Sequence, residues 1–143
     1  MRRKKGQAIA EMALLFPFFL LVIVGGIIDF GFAFYNSLTL QQIANDSAQW
    51  AADNNITVNQ EITNYINGRK PGWWSQDTFK ITTPEQVALP SGGTVLRIRI
   101  SYDSPTYTPF YQTMLSGITG APSIKLAALA SYKFPQHVYT KLK

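Results

Sequence analysis

Residues 12–28, MALLFPFFLLVIVGGII, form an uncharged and almost wholly apolar run of 17. That length lies at the short end of the roughly 17–25 residues that carry a helix across a bilayer. Ala8, Ile9 and Ala10 extend the apolar segment toward the N-terminus, interrupted by one carboxylate, Glu11. Pro17 and the Gly25-Gly26 pair do not veto a membrane helix, because both residue types are tolerated there. Pro17 removes one backbone donor and crowds the preceding turn, so a bend is expected at that point. A single transmembrane segment over 12–28, with a polar domain attached, is the organisation that this run implies.

The formal net charge of +5 is concentrated at one end, where Arg2, Arg3, Lys4 and Lys5 supply four positive charges. The remainder is nearly balanced, which excludes a basic domain that binds nucleic acid through phosphate contacts. By the positive-inside rule, this cluster keeps the N-terminus cytoplasmic and places everything after Asp29 outside. Asp29 is expected to mark the outer boundary of the membrane helix. The chain has no cysteine and one histidine, His137. Thiolate chemistry and a multi-histidine metal site are therefore excluded. No Ser/His/Asp arrangement, phosphate-binding glycine loop or pair of catalytic carboxylates is present, so neither an enzyme nor a cofactor is expected.

Three parts follow: a basic leader (1–6), one long helix (7–54) containing the membrane segment, and an extracytoplasmic α+β domain (55–143). Past Asp29, Leu40, Ile43, Ala44, Ser47, Ala48 and Ala51 recur at spacings of three and four with polar residues between them. This is a small-residue stripe suited to lying on a sheet. A helix over 7–54 would be about 70 Å long and would project well beyond a bilayer core of about 30 Å. Asn54-Asn55 is its stop signal. Val58, Ile62, Tyr65 and Ile66 indicate a second short helix, ended by Gly68 and the Pro71-Gly72 turn. The period then changes to two. Thr78–Thr82, Thr94–Tyr102 and Ser123–Phe134 are strand candidates, with Leu96, Ile98, Ile100 and Tyr102 on one face and Arg97 and Arg99 on the solvated other. The expected architecture is α+β, a small antiparallel sheet packed on the outer half of the long helix.

Glu11 stands out within the apolar segment. An ionised carboxylate near the middle of a membrane helix costs roughly 2.5–3.5 kcal/mol on insertion scales, and less near an interface. Gly6 marks the junction between leader and apolar segment. Cleavage after Gly6 would make Gln7 the first residue and Glu11 the fifth. The new α-amino group would then be a positive charge one turn from the carboxylate. Glu11 could pair with it within the chain or pair with the amine of a neighbouring subunit, fixing axial register. Against these stands the plainer reading, an uncleaved anchor whose Glu11 reaches the headgroups.

The leader, Gly6, Glu11 and the apolar helix resemble the class III signal segments of type IV pilin-like proteins. The stretch 6–52 is similar, more specifically, to the TadE-like minor pilins of tight-adherence (Tad/Flp) pilus systems. The matching features are Gly6, Ala10-Glu11-Met12-Ala13, Phe16-Pro17, Ile28-Asp29-Phe30-Gly31 and the Ala-rich helix beyond. Phe32 stands where many members carry a basic residue. The resemblance implies a pilin-like fold and cleavage between Gly6 and Gln7 by a prepilin peptidase. It also implies residence in the bacterial inner membrane, and partnership with other major and minor pilins and an assembly platform. It implies a minor pilin or pseudopilin serving adhesion or secretion, without catalysis. An uncleaved membrane-anchored accessory or ligand-binding protein is the alternative. The aromatic groups Trp73-Trp74 and Tyr107, Phe110, Tyr111 are expected to anchor loops against the sheet, with a membrane-surface, glycan or partner patch as the alternative, and His137 is expected to lie at the surface.

Overall fold

The computed structural model describes residues 2–135, and the side chains of 6–135; His137 lies outside the described residues. The element order is α1 (Arg2–Asp53), α2 (Asn59–Arg69), β1 (Phe79–Ile81), β2 (Glu85–Ala88), β3 (Thr94–Pro105), α3 (Pro109–Thr119) and β4 (Ser123–Lys133). The fold is α+β, a long apolar N-terminal helix with a small antiparallel sheet. Helix α1 begins at Arg2 rather than Gln7, so the basic leader has helical backbone, and Pro17 sits inside it without ending it.

Two compact units are present, and they cut across the division read from the sequence. One holds the chain up to Phe34 together with Pro105–Ile124; the other holds Tyr35–Ser104 together with the described chain from Lys125.

In the second unit the predicted stripe is the buried face of α1. Leu40, Ile43, Ala44, Ala48 and Ala51 join Ile62 and Ile66 of α2 and Leu96, Ile98, Ile100 and Tyr102 of β3 in one core. Arg97 and Arg99 on the alternate positions of β3 are exposed, and Arg97 lies 3.9 Å from Glu85. Helix α1 stops where Asn55 takes a left-handed conformation (φ 53°). The N–H of Asn55 then reaches the carbonyl of Ala52 at 3.1 Å, and that of Ile56 reaches Ala51 at 2.8 Å. This double bond pattern satisfies carbonyls that the end of a helix leaves free, and Ile56 turns back onto the core.

Both β1 and β2 pair antiparallel with β3, in registers Phe79↔Tyr102 to Ile81↔Ile100 and Glu85↔Arg97 to Ala88↔Thr94. Three residues on one side oppose two on the other between these blocks, so the pair is one hairpin with a bulge around Pro84. Strand β2 was absent from the expectation. The hairpin closes through Gly92 and Gly93, whose φ values of 86° and 98° glycine adopts without strain. Strand β4 pairs with β3 and completes the sheet.

Buried beside this core is a polar chain. Trp74 stacks on Tyr102 with centroids 4.2 Å apart and donates its indole N–H to Oδ1 of Asn36 at 3.1 Å. Asn36 donates in turn to Oγ of Ser104 at 2.9 Å. All three are nearly inaccessible. Trp74 thus meets the expectation for a sheet-anchoring aromatic, whereas its neighbour Trp73 is 67% exposed.

Candidate assembly site on the N-terminal helix

The apolar residues of α1 before Phe30 point in every direction. Met12, Leu14, Leu15, Phe16, Phe18 and Phe19 are each more than half exposed. A helix that is greasy all round has no aqueous face and belongs in lipid or under other protein. Gly6–Asp53 is the one helix among the described residues long and apolar enough to cross a membrane.

At its start, Gly6 has open space around it. Next to it, Gln7 donates its side-chain amide to Oε1 of Glu11, one turn on, at 3.2 Å, and both side chains are exposed. Glu11 borders a shallow surface hollow with Ala8, Met12, Leu15, Phe16 and Phe19. An apolar depression carrying one carboxylate matches a group that is apolar with one positive end.

Asp29, expected to mark the outer boundary of the membrane helix, has partners within the chain. It is 1% exposed. Its Oδ1 accepts the backbone N–H of Tyr107 at 2.7 Å, its two oxygens share the N–H of Thr108, and Oδ2 also accepts the Thr108 hydroxyl. These N–H groups lie just before α3, whose first residue, Pro109, has none to offer. Asp29 therefore accepts the N–H of the capping residue Thr108 and of the residue before it, as a carboxylate in the first turn does for the capping residue in a capping box.

Below Asp29, the Gly25-Gly26 pair makes room for the same segment. A Cβ on Gly25 would lie 3.3 Å from Thr108, and one on Gly26 would lie 2.6 Å from the Tyr111 hydroxyl oxygen. The Tyr111 hydroxyl donates to the carbonyl of Val22 at 3.0 Å. Edge-to-face ring pairs join Phe18 to Phe110 and Phe30 to Tyr111, and a tilted contact joins Phe32 to Tyr107. Tyr107, Phe110 and Tyr111 thus pack on α1 and not on the sheet. The aromatic at position 32 has its packing partner in Tyr107.

Residues 6–49 match the family model described as TadE-like protein. Over this segment the chain is similar to that family. The match begins at Gly6 and takes in Glu11 and Asp29. No curated protein and no solved structure matches the chain. The matched segment therefore covers the apolar helix and most of the core-facing stripe, and α2, the sheet and α3 lie outside it.

Proposed function

We propose that the protein is a minor pilin or pseudopilin of a Tad/Flp-type pilus, cut between Gly6 and Gln7 by a prepilin peptidase and acting without catalysis in assembly for adhesion or secretion. The single observation that supports this most is the TadE-like match that starts at Gly6 and runs through the apolar helix. The exposed apolar surface of α1 fits a stem that lipid covers first and sister subunits cover later. In this reading the protein waits in the bacterial inner membrane with its basic end cytoplasmic. Its partners are the peptidase, other major and minor pilins and the assembly platform. Glu11, beside its apolar hollow, takes the freed α-amine of a neighbouring Gln7 in place of its bond to Gln7 of its own chain. That pairing sets the stagger between subunits.

The test is the mass and N-terminal sequence of protein extracted from membranes of cells with an active prepilin peptidase. A chain beginning at Gln7 is expected, and Gly6→Ala should leave the leader attached. A chain that keeps Met1 in such cells would favour the other reading, an uncleaved membrane-anchored accessory or ligand-binding protein.

A further inference from the structure

From Ser104 to Ile124 the sequence SPTYTPFYQTMLSGITGAPSI contains no charged residue; Asp103 and Lys125 bracket it. Its helix, α3, is apolar on balance, yet none of its residues is buried by the chain. Ile118 is 75% exposed and Tyr107 is 53% exposed. An apolar helix that rests on protein along one side and fully buries none of its residues has little reason to stay folded in water, because burial rather than propensity supplies most helical stability.

What this segment touches gives its depth. Thr108 meets Asp29 and Gly25, Tyr111 meets Gly26 and Val22, and Phe110 meets Phe18. Eleven residues of α1 separate Asp29 from Phe18, about 16 Å along the axis, or half of a bilayer core of about 30 Å. Where residues 12–28 span a membrane, α3 is carried below the surface with them.

The polar groups of the segment are arranged as that depth demands, since an unpaired backbone or hydroxyl group in hydrocarbon costs several kcal/mol. Asp29 takes the N–H groups of Tyr107 and Thr108. Thr113 and Thr119 donate to the carbonyls of Pro109 and Leu115, and Gln112 donates to the carbonyl of Thr106. The segment closes on itself where the N–H and hydroxyl of Thr106 both meet the carbonyl of Pro122.

We propose that residues 105–124 form a re-entrant element in the leaflet at the Asp29 end of the span, with α3 in direct contact with lipid. The inference rests on residues 12–28 spanning a bilayer. It does not require cleavage at Gly6 or pilus assembly, so it is tested on the full, uncleaved chain.

The absence of cysteine makes the experiment direct. Single cysteines are placed at Thr113 and Ile118 in α3, at Leu21 in the span as the embedded control, and at Trp73 as the aqueous control. Each full-length protein is reconstituted in phosphatidylcholine–phosphatidylglycerol vesicles. Labelling by a charged maleimide is timed in vesicles and in denaturant. A bimane label at each site, attached before reconstitution, is tested for quenching by nitroxide on the lipid chains. Thr113→Cys, close to the native side chain in shape, guards against a misfolded variant. Thr113→Cys and Ile118→Cys are expected to label at least about tenfold more slowly than Trp73→Cys in vesicles, as exclusion of a charged reagent from hydrocarbon requires. They should match it in denaturant, and lipid nitroxide should quench their bimane. Labelling of both as fast as Trp73→Cys overturns the proposal. Slow labelling without quenching also overturns it, because a second copy or another protein then covers α3. Fast labelling of Leu21→Cys removes the span on which the inference stands and overturns it as well.

Discussion

A Cβ added to Gly26 would stand 2.6 Å from the hydroxyl oxygen of Tyr111 and 3.2 Å from the ring carbon that bears it. Both atoms belong to a rigid ring whose hydroxyl is already held by the carbonyl of Val22. Gly26→Ala is therefore expected to displace Tyr111 and to destabilise the association of α3 with α1 by about 1–3 kcal/mol, the usual cost of overpacking. Gly31→Ala on the same helix meets nothing within 4 Å. It should be neutral or stabilising by up to about 1 kcal/mol through helix propensity. Amide hydrogen exchange over residues 107–119 in detergent separates the two: faster exchange for Gly26→Ala and unchanged or slower exchange for Gly31→Ala.

Asp29 supplies the acceptors for the two N–H groups before α3. Asp29→Ala leaves both without a partner in a shielded place, at about 1–3 kcal/mol. Asp29→Asn keeps one acceptor oxygen and should cost less. The amides of Tyr107 and Thr108 report this directly, with exchange fastest in the alanine variant and intermediate in the asparagine variant. Equal exchange in all three proteins would exclude the bonding role.

The indole of Trp74 does two things, stacking on Tyr102 and donating to Asn36. Trp74→Phe keeps the first and loses the second, for an expected loss of about 1 kcal/mol, whereas Trp74→Ala opens a cavity costing about 3–5 kcal/mol. Combined with Asn36→Ala, Trp74→Phe should show a coupling of at least about 0.5 kcal/mol in chemical unfolding monitored by fluorescence, as residues in one network do.

Glu11→Ala removes the only charge between the basic leader and Asp29. Insertion should be intact or improved, since a carboxylate in an apolar span is costly. Under the pilin reading, leader removal should continue while incorporation into filaments falls. Comparison of membrane and sheared-filament fractions measures this, and unchanged incorporation would take the register role from Glu11.

The elements legible in the sequence are those whose pattern is complete in one stretch. The stripe Leu40 to Ala51 and the alternation Leu96 to Tyr102 announce their partners through period alone, because each has one face in the core and one outside. Strand β2 has no buried residue, so its four positions show no alternation. Helix α3 contains Thr, Ser and Gly and has no fully buried residue, yet Pro109 at its start and Gly120 at its left-handed end were signals that could have found it. The bonding task of Asp29 was not legible. A lone carboxylate after an apolar run reads as the end of the run, and its partners are backbone N–H groups 78 and 79 residues away. Backbone donors leave no trace in residue identity. Gly25-Gly26 was the available signal, read as tolerance for a membrane helix when it also makes room for Thr108 and Tyr111.

The clasp between Thr106 and the carbonyl of Pro122 draws together two points sixteen residues apart. Whatever lies between them leaves and returns at nearly the same place, so insertions and deletions there need not disturb the strands on either side. The segment from Tyr107 to Ala121 is thus a closed excursion of the chain, fastened at its base by Thr106 and along its near side by Asp29 and the carbonyl of Val22.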